Sequence, residues 1–249
     1  MAKISSRNAT VLVGGYVLSP MSFSYDTSGP AVDPIDVTAF QDGSQNYVPG
    51  QLTSGMTCNF YWDQTATTGA NVALKGLGNK AVTIIPETYA LGGDAESIWA
   101  MQENWSPKGD VKSAITVESV KFTATGAWYA VMNGQMLAND TITATTTGTG
   151  VRDPEAVDMT TVSAGVLHIT TPCAADRYVV KIQHSTDNTT SWTDLVTFTL
   201  DASARASEIV AGATTTLKQY RRIVATRTGA AANPFGFSVF FWRRNTVTS

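Results

Sequence analysis

Apolar and β-branched residues recur in short runs with a two-residue alternation along most of this 249-residue chain, and turn-forming residues separate the runs. Ala9 to Leu18 is apolar on both faces and interrupted by Gly14-Gly15, which predicts a strand, a bend or bulge, and a second strand. Residues 26–36 carry Gly29, Pro30 and Pro34, so they read as a long excursion leaving the body of the domain; proline cannot donate to a central ladder. The chain returns through an extended Val37–Phe40 segment, a polar turn at Gln41–Ser44 and a Pro49-Gly50 corner, then a strand from Gly55 to Trp62. One helix is predicted, over Thr68–Leu77, with Thr67 or Thr68 as its cap, Val72, Leu74 and Leu77 as a partial apolar face, and Gly76 or Gly78 as its stop. Ala81 to Pro86 follows as a strand, and Gly92 to Asp110 reads as a polar interval carrying Trp99 and Trp105. Ala114–Ala124 and Ala127–Met132 predict a strand pair around a Thr125-Gly126 turn.

Between Ala138 and Asp153 threonine and glycine dominate, which reads as a last edge strand running into a linker. The domain boundary falls near Gly150. Beyond it, residues 165–171, 177–184, 193–200, 208–210, 220–227 and 235–242 all predict strands. Tyr178, Val180 and Ile182 share one face, as do Val196, Phe198 and Leu200, while Phe235, Phe237, Val239 and Phe241 alternate with smaller neighbours. The expected fold is all-β with one short helix: a β-sandwich or barrel in residues 1–150, then an immunoglobulin-like sandwich in residues 151–249.

Composition adds little to this outline, but charge does. Only 15% of residues are charged, and the net charge of −3 is too small to imply a nucleic-acid or membrane surface by itself. The first 150 residues hold 7 basic and 12 acidic side chains; the remainder hold 10 and 8. An acidic first half and a slightly basic second half suggest units facing different surroundings. Cys58 and Cys173, one in each half, read as buried small hydrophobes in a reducing compartment rather than a disulfide. The first residues lack an apolar core of signal-peptide length, and no apolar run is long enough to span a bilayer; a soluble protein made in a cytoplasm is expected.

Candidate chemistry is sparse. His168 and His184 fall in predicted strands without Glu or Cys at metal spacing, so packing is the expected role and no metal or other cofactor is implied. No nucleophile elbow or Ser/His/Asp set can be assembled, and no catalytic residue is assigned. Residues 76–81 (GLGNKA) superficially fit a dinucleotide fingerprint, but they end a helix and enter a strand, the reverse of the required order. Asp94 with Glu96, and Asp33 with Asp36, read as solvated loop acids. Arg221-Arg222 and Arg243-Arg244 read as rim charges, because adjacent strand residues point to opposite faces. Trp99 and Trp105 are the pair that would suit a glycan surface or intersubunit packing.

Residues 36–63 carry a resemblance. The run Asp36-Val37-Thr38-Ala39-Phe40, the Asp42-Gly43 turn, the Tyr47-Val48-Pro49-Gly50 corner and the strand ending Phe60-Tyr61-Trp62-Asp63 ahead of a short helix resemble the major tail tube protein of long, non-contractile-tailed bacteriophages. Gln41 stands where that family commonly has glycine, and Gln51-Leu52 replaces Gly-Leu. Lys181–Ser185, Trp192, Leu195–Phe198 and the closing Phe237–Phe241 with Arg243-Arg244 look like the sandwich appended to some tail proteins. The resemblance implies a tail-tube-type sandwich or barrel whose copies form six-membered rings that stack into a tube, through which DNA passes without specific binding. It implies other tail proteins (tape measure, terminator and distal tail) as partners, and a place in the virion after assembly in the host cytoplasm. Ring and stacking contacts fall to Thr38, Phe40, Asp42, Gly43, Tyr47, Pro49 and Gly50, with Glu87, Glu103, Asp110 and Glu118 as candidate channel-facing acids. The second domain would stand outside the tube, with host surface glycans as a candidate partner. The alternative is a host-surface adhesin or capsid decoration protein built from the same two β-domains; a hydrolase using Asp94 and Glu96 is a distant third.

If residues 36–63 are an assembly element, Phe40→Ala or Pro49→Ala leaves the monomer's thermal unfolding unchanged and slows self-assembly measured by light scattering. Loss of folding in both variants would instead assign this stretch to the core.

Overall fold

Alternation of buried and exposed side chains, closed by tight turns, turns nearly every apolar run of this sequence into a strand. The computed structural model describes residues 9–244 except 40–43, 64, 66, 87–88, 110–112, 127–129, 154–158, 161, 214–215 and 231, with the backbone alone described at 30, 33, 49–52 and 159–160. In chain order the elements are β1 (Thr10–Val13), β2 (Tyr16–Val17), β3 (Ser22–Asp36), β4 (Tyr47–Tyr61), α1 (Ala70–Lys75), β5 (Gly78–Ile85), β6 (Asp94–Gln102), β7 (Pro107–Lys108), β8 (Thr116–Ala124) and β9 (Met132–Ile142). There follow β10 (Thr146–Thr147), β11 (Val151–Arg152), β12 (Met159–Thr160), β13 (Ser163–Thr171), β14 (Arg177–Ser185), β15 (Thr193–Thr197), β16 (Ala206–Ala211), β17 (Thr216–Leu217), β18 (Tyr220–Thr228) and β19 (Phe235–Arg243).

The main sheet runs β16-β13-β19-β9-β6-β5-β1-β2, all antiparallel, and so takes strands from both sides of Gly150. It curls until its two ends nearly meet, giving a barrel-like body. The seam is closed by side chains rather than by a ladder: Gly15 N–H donates to His168 Nδ1 (3.3 Å) and Ala81 N–H to Ser207 Oγ (2.9 Å). Gly15 is the residue that permits this approach. Its φ is +89°, and a Cβ there would sit 2.5 Å from the Ile169 carbonyl oxygen. Ala81, Ile85, Ala95, Met132, Met136, Val166 and Phe240 form one apolar cluster, drawn from both halves.

Two further cores flank that cluster. In the first half, β1, β5 and β6 pack Val11, Val82, Ile84 and Ile98 against Met56, Phe60, Val117 and Phe122 of β4 and β8, with Leu74 of α1 in the same core. In the second, β13, β19 and the end of β9 pack against β14, β15 and β18 through Leu167, Phe237, Phe241, Tyr178, Val180 and Ile182. The six expected strands of the second half are all present, and the expected face-sharing of Tyr178, Val180 and Ile182 holds. They are divided between two sheets, and β19 is paired with β13 on one edge and β9 on the other.

Three expectations are corrected. Residues 92–110 are not a polar interval, because they contain β6, whose Ser97 and Gln102 are fully buried with tertiary hydrogen-bond partners. Of the strand expected over 127–132, residues 127–129 lie outside the described residues and β9 begins only at Met132; β8 and β9 do not pair with each other. They lie in tandem along one edge of β6, at Ala100–Gln102 and Asp94–Ser97 respectively, while β5 occupies the other edge. The segment after Ala138 is not a separate strand: β9 continues to Ile142, and beyond its β6 pairing at Met132–Gln135 it is paired with β19 on one side.

The helix is shorter than expected, and its N-cap is Gly69 without a side-chain bond. Its C-terminal carbonyls are held instead. Lys80 Nζ donates to Ala73 O (3.1 Å) and Gly76 O (2.8 Å), and Gln102 Nε2 to Leu74 O (2.6 Å). Burial brings the Lys80 ammonium down to about 8. A six-residue helix cannot hold itself in water, and these two sheet side chains satisfy the carbonyls it leaves open.

His168 sits at the centre of a buried polar chain. Because Nδ1 accepts from Gly15, the ring proton is on Nε2 and is donated to Thr83 Oγ1 (2.8 Å); Thr83 then donates to Ser97 Oγ (2.8 Å) and Ser97 to Val82 O (3.2 Å). Burial lowers the His168 pKa from 6.5 to about 3. A folded value below the unfolded one means the neutral ring stabilises the fold above about pH 6.5, and that this contribution is lost as pH falls toward 3. His184 acts in the same direction, lowered to about 4 by burial and by the Lys218 and Arg221 charges. In His168→Gln the loss of unfolding free energy between about pH 6 and pH 4 becomes shallower by about 1.4 kcal/mol per pH unit. Urea titrations across that range check this; an unaltered slope would place the acid sensitivity elsewhere.

Candidate assembly interface

Residues 22–61 leave the body as a hairpin. Among the described residues, β4 pairs with β8 from Gly55 to Tyr61, and β3 has no ladder partner except β4. From Ala31–Asp36 against Tyr47–Thr53 the two strands therefore have only each other, a ribbon about 20 Å long at ~3.3 Å per residue. The expected loop over about residues 26–50 is thus largely a strand pair. Edge position is what tolerates its prolines, and the ladder shifts register between Ser28 and Ala31 and between Val32 and Pro34. Pro49-Gly50 is not a corner: it lies inside β4, with Pro49 opposite Pro34, where neither residue has an N–H to donate.

The far end is tied by short polar bonds. Val37 N–H donates to Asn46 O (2.9 Å). The Thr38 N–H and hydroxyl both donate to Asp36 Oδ1, at 2.9 and 2.5 Å, and the same hydroxyl accepts from Asn46 N–H (2.9 Å). The Thr38 hydroxyl, and then its N–H, lower the pKa of the exposed Asp36 carboxyl. Tyr47 donates its hydroxyl to Gln45 Oε1 (3.1 Å).

What this ribbon presents to solvent is apolar. Ile35 is 53% exposed, Tyr47 52% and Val37 48%, and Val32 and Val48 are exposed as well. Ile35 faces its cross-strand partner Val48, and Tyr47, one residue along, lies on the opposite face, so both faces carry apolar groups. At the root, Phe23 and Tyr61 pack ring to ring at 4.9 Å while remaining exposed. Of the predicted contact residues, Thr38 and Tyr47 are on the arm, and Pro49 and Gly50 are in its second strand. Phe40, Asp42 and Gly43 lie outside the described residues. Val32, Ile35, Val37 and Val48 were not singled out by sequence reasoning. The signal available was β-branched residues beside prolines, which alternation alone does not distinguish from a half-buried strand.

Glu87 and Asp110 also lie outside the described residues. Glu103 and Glu118 reach the solvent side of the β4–β8 layer, each beside a lysine: Glu103 Oε2 is 3.1 Å from Lys121 Nζ and Glu118 Oε2 3.4 Å from Lys108 Nζ. The Glu103 carboxyl is lowered chiefly by the Thr123 hydroxyl and further by Lys121.

Arg221 and Arg222 point to opposite faces as strand geometry requires, whereas Arg243 and Arg244, at the end of β19, line one cleft; Arg221 is no rim charge. It is 1% exposed, lies 4.6 Å over the Phe241 ring, and donates to Asp153 Oδ2 (2.5 Å) and Gln135 Oε1 (3.1 Å). Arg243 binds the same carboxylate through two nitrogens, at 2.6 and 3.1 Å. Burial alone would raise the Asp153 carboxyl; the bonds from Arg243 and Arg221 outweigh it and hold the group well below the usual range. Arg222 turns the other way, 4.1 Å over Trp192, and donates to Gln183. The Arg221–Asp153–Arg243 cluster forms one wall of a cleft of about 700 Å3, whose other residues include Asp94, Glu96 and Asn133. Trp99 and Trp105 are not a pair: Trp99 is in β6, and Trp105 packs on Trp62 at 5.5 Å. Cys58 and Cys173 are both buried and free. Among the described residues no group of three or more His, Cys, Asp or Glu is placed to hold a metal ion, and no helix is long and apolar enough to cross a membrane.

No family model and no curated protein matches the chain. Among solved structures, the Dit protein of phage SPP1, described as a paradigm of the hub adsorption apparatus in phages infecting Gram-positive hosts, aligns over 95% of this chain and 99% of its own. The identity is 10% and the TM-score 0.35. A structure of infectious bursal disease virus, Gx strain, aligns over 97% of this chain and 68% of its own, with 13% identity and a TM-score of 0.27.

Replacing exposed arm residues separates their role from folding. Ile35→Ser combined with Val48→Ser changes unfolding free energy by only about 0.5 kcal/mol per site, whereas Phe122→Ala in the core costs about 3–5 kcal/mol. Denaturant titration of the three proteins checks the contrast, and a core-sized loss in the arm variant would show that the arm packs on its own body.

Proposed function

We propose that this chain is a structural subunit of a phage tail, a tail tube protein whose copies close into six-membered rings that stack into a DNA-conducting tube. The observation that carries the reading is the arm: a two-stranded ribbon whose ladder, among the described residues, joins its two strands to each other, with exposed apolar side chains on both faces. An isolated hairpin is marginal in water, and an apolar side chain that becomes buried contributes about 1.5–3 kcal/mol, so a neighbouring copy is the natural source of its order. The resemblance of residues 36–63 to tail tube proteins points to the same element. A head-to-tail contact that closes gives a ring, and a second that does not close gives a tube. Pairing along the uncovered edge of β3 would continue the sheet between copies and remove an aggregation hazard.

DNA would pass such a channel without specific binding. The Glu103–Lys121 and Glu118–Lys108 pairs offer a mixed-sign surface rather than a run of lysines for phosphates to grip. In this reading residues 151–249 face outward, where many weak contacts to host glycans would add through avidity, and tube ends meet the tape measure, terminator and distal tail proteins.

Electron microscopy and sedimentation of the purified protein over rising concentration test the reading. Rings or tubes are expected for the natural chain and their loss in Ile35→Ser/Tyr47→Ser, with the unfolding midpoint retained. A natural chain that stays monomeric at every concentration overturns it.

A further inference from the structure

At one end of the barrel-like body β9 and β13 finish and β16 begins, and a second cleft, of about 440 Å3, opens among them. Asn139, Asp140 and Thr141 line it from β9, Thr170 and Thr171 from β13, and Arg205 from the position ahead of β16. The described lining has one apolar residue, Val17. Two backbone features build this polar mouth. The β13–β19 ladder shifts register between Ile169 and Thr171, so Thr170 and Thr171, which as strand neighbours would point to opposite faces, both line the cleft. Gly236 of β19 lies opposite Thr171 on one edge and Thr141 on the other. A Cβ there would be 2.8 Å from both the Thr170 and the Thr171 hydroxyl oxygens, so glycine lets the two hydroxyls gather over β19.

The polar groups of the mouth are positioned without being used up. Arg205 donates through Nη1 to the Thr170 carbonyl and lies 5.5 Å over the Tyr16 ring, and it has no carboxylate partner among the described residues. Ser238 donates to Asn139 Oδ1 (2.5 Å), which leaves the Asn139 amide nitrogen to donate elsewhere. The exposed Asp140 carboxylate has no hydrogen bond or ion pair among the described residues.

We propose that this barrel mouth binds a neutral pyranose sugar. A carboxylate accepts from the hydroxyls of such a ring, a guanidinium and an amide nitrogen donate to them, and threonine hydroxyls do either. The bonds to Asp140 and Arg205 are of the stronger, charge-assisted kind. An anion would be repelled by Asp140 and a cation by Arg205, whereas a neutral polyol meets neither penalty. The size agrees: about 440 Å3 lies in the lower part of the range of small-ligand sites, which occur among other places in the mouths of β-barrels. The inference rests on the reading above only for the source of the sugar, a host glycan. It gives that contact a place, built from residues on both sides of Gly150 rather than from the second half alone.

Saturation-transfer NMR on the full-length chain with the methyl glycosides of glucose, galactose and mannose tests the site. Transfer to at least one glycoside is expected. Asp140→Asn and Arg205→Gln each raise its Kd about tenfold or more, the loss of a bond to a charged group. Asp194→Asn, which alters an exposed carboxylate on β15, leaves the Kd unchanged. Thermal unfolding of each variant separates a lost contact from a lost fold, and Asp140, exposed and unbonded, is the position where the two are most cleanly separated. No transfer to any of the three, a Kd unchanged in Asp140→Asn, or displacement of the glycoside by an equal concentration of glycine overturns the proposal. Rings and tubes formed by a chain that binds no sugar overturn the site and leave the tail reading standing. Sugar binding by a chain that never assembles does the reverse.

Discussion

The structure depends on one strand having its second edge shared. Strand β6 pairs with β5 along one side, while on the other β9 takes the Asp94–Ser97 end and β8 the Ala100–Gln102 end. A ladder can accommodate only one neighbour per edge at each residue, so two strands in tandem force the sheet to divide. The β8 branch carries β4 and the arm, and the β9 branch carries β19 and the second half of the chain. The three apolar clusters follow from that division. One collects side chains of the curled main sheet from both halves, and one lies beneath each branch. The cleft is lined by residues of β6, β9 and β19 together with Asp153 and Arg221.

Holding such a body together takes polar as well as apolar interactions. The barrel seam has no continuous ladder, so its backbone groups are met by side chains: His168 for Gly15, Ser207 for Ala81. Gln102 does the same for the helix end, and Asp153 for two arginines. His168, Gln102 and Asp153 are buried, and removal of the partner of any of them would be costly, because a buried polar group without a bond forfeits its hydration. The neutral state of His168 belongs to this account, since a charged ring could not accept from Gly15. The arm differs in every respect. Its bonds are short-range and exposed, its apolar groups face water, and its strands have one neighbour each. Such elements sit at the low end of local stability, and a surface that must wait for a partner is drawn from that end.

By itself the sequence determined the local geometry. Two-residue alternation and turn residues placed all six long strands of the second half, the Gly14-Gly15 bend and the β4, β5 and β8 runs, because a strand's period and a turn's φ requirement are written in neighbouring residues. It also marked residues 36–63 as the unusual stretch, and the prolines at 30 and 34 as excluded from a central strand. Tertiary structure decided the rest. β6 was unreadable because Ser97 and Gln102 look exposed until β5 and α1 supply their partners. That β9 is central and β8 does not pair with it depended on β19, about a hundred residues away, taking the open edge. Arg221 read as a rim charge because only the fold brings Asp153 and Gln135 to it. Alternation reports which residues share a face. Whether that face meets a core, a partner strand or water is settled by contacts distant in the chain, and the arm and the cleft are both products of that second kind of information.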